Sequence, residues 1–148
     1  MAIDPSTLSG LELLRLAVAG EIPRPSIAET MGMDMAEINE GEVIFMARPD
    51  RRHLNPMGGV HGGFYATVLD SVTGCAVHTM LSPGDTYGTV DLNVKMLRAA
   101  SVDTTLRAVG RVVHVSRQLG VADGQILDEE GRLYAHATAS CLIKRAGK

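Results

Sequence analysis

A histidine, several glycines and a single acid stand at fixed spacing in HLNPMGGVHGGFYATVLDSVTGCAVHTM, which covers residues 53–80. His61 is followed at once by two glycines, Asn55 precedes it by six residues and Asp70 follows it by nine. A glycine-rich loop that runs into a helix presents backbone N–H groups and the positive end of the helix dipole, and both stabilise an anion or a developing oxyanion. A carboxylate near the same acyl carbon can activate water or attack the carbon itself. These residue types therefore favour hydrolysis by acyl transfer.

Patterns for other kinds of chemistry are missing from the sequence. The segment holds one carboxylate, whereas glycoside hydrolysis uses a pair. There is no H-E-x-x-H sequence for zinc, and the glycine-rich loop lacks the Gly-Lys-Ser/Thr ending of a phosphate loop. Ser71 lies within a helical pattern and lacks the flanking glycines of a nucleophile elbow.

Length and composition predict one globular domain over residues 1–148, in which residues 1–29 supply an N-terminal helix and a lead-in. Of the 148 residues 45% are hydrophobic and 21% charged, and the net charge is −3. No basic run with interleaved aromatic residues points to a nucleic-acid partner. No apolar run approaches the ~20 residues of a membrane span, so we expect no membrane partner.

The N-terminus and the cysteines indicate the compartment. The first ten residues, MAIDPSTLSG, lack the positive and then apolar layout of a signal peptide. Cys75 and Cys141 form no C-x-x-C or zinc pattern. We therefore expect two free thiols in a cytoplasmic protein.

The first elements of the chain are predicted to be a short helix and a hairpin. Ser9 and Glu12 form an S-x-x-E capping box ahead of a helix over about residues 9–19. Residues 31–38 and 42–48 read as two strands joined by an Asn-Glu-Gly turn.

A long helix is predicted from about His61 to Leu81. With 100° between successive residues, its apolar side chains cover an arc of about 160°, which is wide for a surface helix and predicts packing against a sheet. Asp70 lies about 80° outside this arc, among residues with small side chains such as Gly74. The Asp70 face can therefore admit a ligand or another chain.

The rest of the chain is predicted to be strands, over residues 89–96, 102–116, 119–127 and 132–144. The first of these alternates, with Val90 and Leu92 on one side and Thr89 and Asp91 on the other. The expected fold class is α+β, with an antiparallel sheet of five to six strands that wraps around the long helix. Pairing between two copies would cover the edge strands.

The sequence resembles the hotdog-fold acyl-CoA thioesterases, in particular the phenylacetate-pathway (PaaI-like) group. Their signature has an asparagine six residues before His-Gly-Gly and an acid nine residues after the histidine, and Asn55, His61 and Asp70 match it. The strand GTVDLNVKMLRAA and the closing hairpin DEEGRLYAHATASCLI are also similar, so the resemblance covers about residues 30–143. It implies the hotdog fold and hydrolysis of an acyl-CoA to a free acid and CoA.

The resemblance also implies roles for individual residues. Asp70 is the catalytic carboxylate, as general base or as nucleophile. The Gly62 backbone N–H polarises the thioester carbonyl, and Asn55 holds the attacking water or the thioester. His61 orients the loop or helps the thiolate leave, although it could equally serve only as a helix cap. Asn55 before a proline is also a common turn starter.

A second set of positions is implied to bind substrate. Gly63 belongs to the loop that faces the thioester, and Thr89 matches a strand position that often positions water. The segment around Ser116 and Arg117 falls where members of the family contact CoA, and Arg117 is its basic residue. Each of these residues also has an ordinary reading, as a tight turn, a strand threonine or a solvated charge.

The implied partners are an acyl-CoA substrate and a second copy of the chain. In the family the site lies between subunits of a homodimer or homotetramer, with the His-Gly-Gly loop and the carboxylate from different chains. No metal ion or other cofactor is implied, since CoA is part of the substrate. The alternatives are a hotdog acyl-thioester hydratase and a hotdog domain that binds acyl-CoA or another ligand without turnover. The sequence does not identify the acyl group.

Overall fold

The computed structural model describes residues 2–147 of the chain. Its helices and strands, in chain order, are α1 (Gly10–Val18), α2 (Ser26–Met31), β1 (Met33–Asn39), β2 (Glu42–Ala47), α3 (Gly62–His78), β3 (Thr86–Met96), β4 (Leu106–Val115), β5 (Leu119–Leu127) and β6 (Leu133–Lys144). Two short 3-10 turns lie at Pro5–Thr7 and Arg51–His53. Within this part of the chain, no helix combines the length and apolar character needed to cross a bilayer.

The six strands form one antiparallel sheet in the order β1-β2-β4-β5-β6-β3. Helix α3 packs against five of these strands, β2 to β6, so the sheet curves around the helix. Val68, Leu69 and Val72 on the sheet-facing side of α3 are fully buried. The prediction of an antiparallel sheet of five to six strands around a long central helix is therefore confirmed, with six strands.

Two glycines allow α3 to lie close to the sheet. Gly110 on β4 and Gly124 on β5 are cross-strand partners. A side chain at Gly110 would collide with the Val72 carbonyl, and a Cβ at Gly124 would lie 3.0 Å from the side chains of Leu69 and Thr73. Their positions fix which turn of α3 rests on the middle of the sheet.

The N-terminal segment differs in part from the prediction. The capping box of α1 is present, with the Ser9 N–H donating to Glu12 at 2.7 Å and the Glu12 N–H donating to Ser9 Oγ at 3.2 Å. The strand predicted from residue 31 is wrong at its start, because residues 26–31 form α2 and β1 begins at Met33. Gly32 ends α2 in the left-handed conformation, with φ of 58°.

Two strand predictions also need correction. The strand predicted from residue 102 begins at Leu106, because Asp103 has a φ of 66° and its N–H donates to the Pro49 carbonyl at 2.8 Å in a turn. The simple alternation predicted for β3 is wrong because its register with β6 shifts between Thr89 and Asp91. This bulge leaves the Val90 side chain 65% exposed and changes which residues face inward.

Candidate active site

Asp70 lies outside the sheet-facing side of α3, at the wall of a cavity of about 830 Å³. Met35 of β1 and Thr89 of β3 line the same cavity, although these strands stand at opposite ends of the sheet order. The curved sheet thus brings its two edges towards the free face of α3. Residues of α1, α2 and their connection line the remaining side of the cavity, which is partly open to solvent.

The Asp70 carboxylate has an unpaired buried atom. Oδ1 is buried and has no hydrogen-bond partner among residues 2–147. An unpartnered buried carboxylate oxygen costs free energy, so such groups in native proteins usually meet water or a ligand. Asp70 is therefore positioned to accept a hydrogen bond from water or to attack an electrophile in the cavity.

Cys75 also lines this cavity and carries the one thiol among its lining residues within 2–147. Burial, and after it the charge of Asp70, raises the pKa of the Cys75 thiol to about 12. The thiolate is the nucleophilic form of cysteine, and at neutral pH it is almost absent here. Cys75 is therefore a poor nucleophile at neutral pH, whereas the Asp70 carboxylate has an unpartnered oxygen in the same cavity.

Tyr87 forms part of the cavity wall above Gly74. A Cβ at Gly74 would lie 3.1 Å from the Tyr87 ring, so glycine is needed for the ring to lie this close to α3. Burial raises the pKa of the Tyr87 phenol well above its usual value, and the thiols and Asp70 add to the effect. The phenol therefore remains an O–H donor. Tyr87 was not predicted as a site residue from the sequence. Its inward position on β3, before the bulge, becomes visible only in the structure.

Thr89 lines the cavity because of the bulge in β3. The inward residues are Tyr87 and Thr89 before the bulge and Leu92 and Val94 after it. The Thr89 hydroxyl lies 3.7 Å from Cys141 Sγ. The structure thus brings Thr89 and Asp70 to one cavity.

The His-Gly-Gly loop forms the N-terminal cap of α3. The Gly63 N–H donates to His61 Nδ1 at 2.7 Å. The Gly62 N–H has no acceptor within residues 2–147, since it stands in the first position of the helix. The Met96 side chain lies against Gly62, where a Cβ would come within 2.5 Å of the sulfur.

Asn55 shapes the loop that precedes the helix. Its Oδ1 accepts from the N–H groups of Met57 at 3.0 Å and Gly59 at 3.1 Å. Its own N–H donates to the Gly59 carbonyl at 2.7 Å. The turn-forming reading is therefore confirmed, and the side-chain amide Nδ2 remains without an acceptor in the described chain.

His53 stabilises the loop that precedes α3, although no pattern in the sequence had indicated a role for it. Its Nε2 lies 2.7 Å from the Thr30 carbonyl, and its Nδ1 accepts from the Asp50 N–H at 2.9 Å. These partners fit a neutral ring with the proton on Nε2. The ring packs on Phe64, with the ring centroids 4.9 Å apart, and so joins α2 and the loop to α3.

Within one chain the loop and Asp70 are not brought together. Gly62 and Asp70 are eight residues apart on the same helix, a rise of ~12 Å along its axis. His61 and Gly63 line a different hollow from the one that Asp70 lines. The predicted site residues of one chain thus line two separate hollows.

Ser116 and Arg117 lie in the connection between β4 and β5, away from the cavity. Both side chains are exposed. The Ser116 and Arg117 carbonyls accept from the Arg145 guanidinium at 2.8 Å and 2.9 Å. This connection is therefore held in place, with the Arg117 side chain directed to solvent.

A family model described as the thioesterase superfamily matches residues 57–135. A candidate esterase of Halobacterium salinarum is 43% identical in an alignment over 98 residues, which covers 63% of this chain and 64% of that protein. The chain thus spans less than two thirds of the length of this curated relative.

Solved structures are similar over most of the chain. A candidate thioesterase related to phenylacetic acid degradation from Ralstonia eutropha is 31% identical, covers 86% of this chain and 97% of its own, and has a TM-score of 0.80. The PaaI protein of the Escherichia coli phenylacetic acid degradation operon is 22% identical, with 95% and 96% covered and a TM-score of 0.78. A hypothetical thioesterase of Streptococcus pneumoniae, solved with coenzyme A, is 26% identical, with 76% and 86% covered and a TM-score of 0.70. These similarities confirm the predicted hotdog fold and the resemblance to the PaaI-like group.

Proposed function

The chain belongs to the thioesterase superfamily, and on that premise we propose that it hydrolyses an acyl-CoA thioester to a free carboxylic acid and CoA. The observation that carries the proposal is the buried, unpartnered Asp70 Oδ1 at the wall of a largely apolar cavity. The Ralstonia eutropha relative supports thioester hydrolysis. The Streptococcus pneumoniae relative, which was solved with coenzyme A, supports CoA as the leaving group.

In the proposed reaction Asp70 acts on the thioester carbon by one of two routes. As a general base it takes a proton from water, and the water oxygen attacks the carbonyl carbon. As a nucleophile its carboxylate forms a mixed anhydride with release of the thiolate, and water then cleaves the anhydride. In both routes the C–S bond breaks, the acyl carbon gains a water oxygen in the end, and the sulfur leaves as CoA thiolate and takes up a proton.

The developing oxyanion needs a donor, and the Gly62 N–H is the proposed one. It stands unpaired at the positive end of α3, where the helix dipole adds to the hydrogen bond. Gly62 and Asp70 of one chain are ~12 Å apart along the helix. In the proposed active site, the loop therefore comes from one copy of the chain and the carboxylate from another. Gly63 follows Gly62 at the start of α3, and its lack of a side chain would let the substrate approach the loop.

A second copy can pair along β3. This strand is at the edge of the sheet, and its exposed apolar side chains include Val90 at 65% and Met96 at 52%. Unpaired strand edges and apolar side chains favour association of this kind. We therefore propose a homodimer, or a homotetramer of two such dimers, as the active form.

The remaining predicted residues have supporting roles in this proposal. The free Nδ2 of Asn55 donates to the thioester or to water, the Thr89 hydroxyl positions the water, and His61 holds the loop. Arg117 and Ser116 contact the CoA moiety, since their exposed side chains stand on a connection held by Arg145.

The proposed steps use only protein groups and water, so no metal ion or redox cofactor takes part. Both cysteines are free thiols, which supports a reducing compartment such as the cytoplasm.

The test is thiol release from a panel of short, long and aromatic acyl-CoA esters by wild type, Asp70→Asn and a control, Asp123→Asn. Asp123 is an exposed acid on β5. We expect Asp70→Asn to lower turnover at least about 100-fold and the control to match wild type. Binding of CoA esters without thiol release in wild type would instead establish a ligand-binding protein. Undiminished turnover in Asp70→Asn would exclude the mechanism.

A further inference from the structure

We propose that the acyl group is an uncharged aliphatic chain of about eight to twelve carbons, seated beneath a roof formed by α1, α2 and the residues between them. This inference rests on the proposed thioesterase function and names the substrate class of the same site. It is carried by the composition, charge and size of the cavity at Asp70.

The N-terminal roof is aliphatic except for Arg24 and lies outside the region that matches the family model. Leu13, Leu14, Ala17 and Val18 of α1 line the cavity. They precede residues 57–135, which the thioesterase superfamily model matches. The side of the cavity that carries Asp70 thus lies in the region that matches the family model. The opposite side, which would contact the far end of the acyl group, comes from the N-terminal segment.

Core packing and a backbone hydrogen bond hold the N-terminal roof in place. Leu14 is 8% exposed and belongs to the hydrophobic core. The Gly10 N–H donates to the Leu81 carbonyl at 3.0 Å, which ties the start of α1 to the residues after α3. A wall fixed in this way limits how long a chain the cavity can hold.

The charges of the cavity exclude an acidic acyl group. Among residues 2–147, Arg24 is the one basic residue that lines it. Its guanidinium lies 2.7 Å from the Asp34 carboxylate and also donates to the Met33 carbonyl at 3.2 Å. Asp70 would repel a carboxylate at the far end of an acyl chain, and no unpaired cation on the wall would compensate.

The size of the cavity favours a chain over a small or compact group. Its volume is about 830 Å³, in the upper part of the ~300–1,000 Å³ typical of small-molecule pockets. A methylene group needs about the ~30 Å³ of a water molecule in the liquid, so a twelve-carbon chain would fill roughly 360 Å³ and leave room for the thioester and the adjoining arm of CoA. An acetyl group would leave most of the apolar wall without contacts.

The shape and the side chains favour a flexible chain over an aromatic ring. The cavity extends from Thr89 at one edge of the sheet to Ile27 on α2, and a single ring would reach only part of it. Met33 and Met35 contribute unbranched side chains that can adapt to a chain.

The experiment measures kcat/KM for acetyl-, butyryl-, octanoyl-, dodecanoyl-, phenylacetyl- and hexanedioyl-CoA. It compares wild type with Ala17→Leu, which fills the cavity, Leu13→Ala, which enlarges it, and Ala19→Leu as the matched control. Ala19 is exposed and does not line the cavity. Melting curves of all variants verify folding.

We expect octanoyl- or dodecanoyl-CoA to be the best wild-type substrate. Ala17→Leu should lower kcat/KM for dodecanoyl-CoA at least about tenfold more than for butyryl-CoA. Leu13→Ala should shift the optimum towards longer chains, and Ala19→Leu should leave the profile as in wild type.

Two kinds of failure are distinguishable. If wild type releases thiol fastest from acetyl-, butyryl-, phenylacetyl- or hexanedioyl-CoA, or if neither cavity variant changes the profile, the acyl-chain inference is wrong and the thioesterase function stands. If wild type releases thiol from no ester, the proposed function itself fails, and the acyl-chain inference fails with it.

Discussion

His61 Nδ1 accepts a hydrogen bond from the Gly63 backbone N–H at 2.7 Å. This contact satisfies one of the free N–H groups at the start of α3, so the ring acts as the helix cap. It also occupies one ring nitrogen and leaves only Nε2 for contact with substrate. A structural role and a direct chemical role for His61 can therefore be separated by substitution.

Replacing the cap should affect stability in a way that depends on the new side chain. His61→Ala removes the acceptor and is expected to lower the free energy of unfolding by about 1 kcal/mol. His61→Asn supplies a side-chain oxygen at a position where asparagine is a preferred cap, so it should retain most of the stability. Urea unfolding measures both.

Thiol release by the same variants then identifies the role of the ring. Wild-type kcat in His61→Asn would show that capping is all that His61 contributes. A large loss of kcat in this folded variant would instead assign a chemical role to Nε2.

Asn55 offers a similar separation, because its two side-chain atoms have different tasks. Asn55→Asp keeps an oxygen for the Met57 and Gly59 N–H groups and should keep the turn. It removes the Nδ2 donor, so kcat/KM should fall about 100-fold, as when one donor to an oxyanion is lost. Asn55→Ala should lose both the turn and the activity. If Asn55→Asp turns over substrate like wild type, Nδ2 does not contact the reacting atoms.

The surroundings of Asp128 lead to a prediction of how the free energy of unfolding changes at acid pH. Its side chain is 3% exposed, and its carboxylate lies 2.6 Å from the Arg132 guanidinium. Burial alone would raise its pKa, but the backbone and side-chain hydrogen bonds from Arg132, with the charge of its guanidinium, outweigh burial and lower the pKa of Asp128 to about 2. A carboxyl whose pKa is lower in the folded state stabilises the fold above its unfolded pKa, which is ~3.9 for aspartate.

The stabilisation of the folded state by the Asp128 carboxylate should therefore be complete at neutral pH. It should be lost as the pH falls from about 4 towards 2. Asp128→Asn should be less stable than wild type at pH 7, and the difference should narrow over this acid range. Urea unfolding of both proteins from pH 7 to pH 2 measures it. A difference that stays constant down to pH 2 would mean that the Asp128 charge does not stabilise the turn.

The central helix and the position of Asp70 were predictable because a repeat of 3.6 residues persists over many turns. The arc calculation placed Asp70 off the sheet-facing side, and in the structure this face lines the cavity. Helix α2 was missed because its six residues are too few to show a repeat. The cavity itself depends on packing of α1 and α2 near β1, which no local pattern contains.

The orientation of Thr89 shows a different limit of the sequence. Alternation in β3 predicted that Thr89 faces opposite to Leu92, whereas both face inward. The cause is the bulge at Val90, which arises from the register of β3 with β6. A bulge depends on the partner strand, so the sequence of one strand does not contain it.

Because the bulge turns Thr89 into the cavity, its hydroxyl can be tested for a role in positioning water. Thr89→Val keeps the shape of the side chain and removes the hydroxyl, and kcat should fall about tenfold for the loss of one hydrogen bond. Thr89→Ser should restore most of kcat, since it returns the hydroxyl. The KM for acyl-CoA should change little in either variant, because Thr89 is proposed to hold water and not the acyl chain. Equal kcat in wild type and Thr89→Val would limit Thr89 to packing against Cys141, 3.7 Å away.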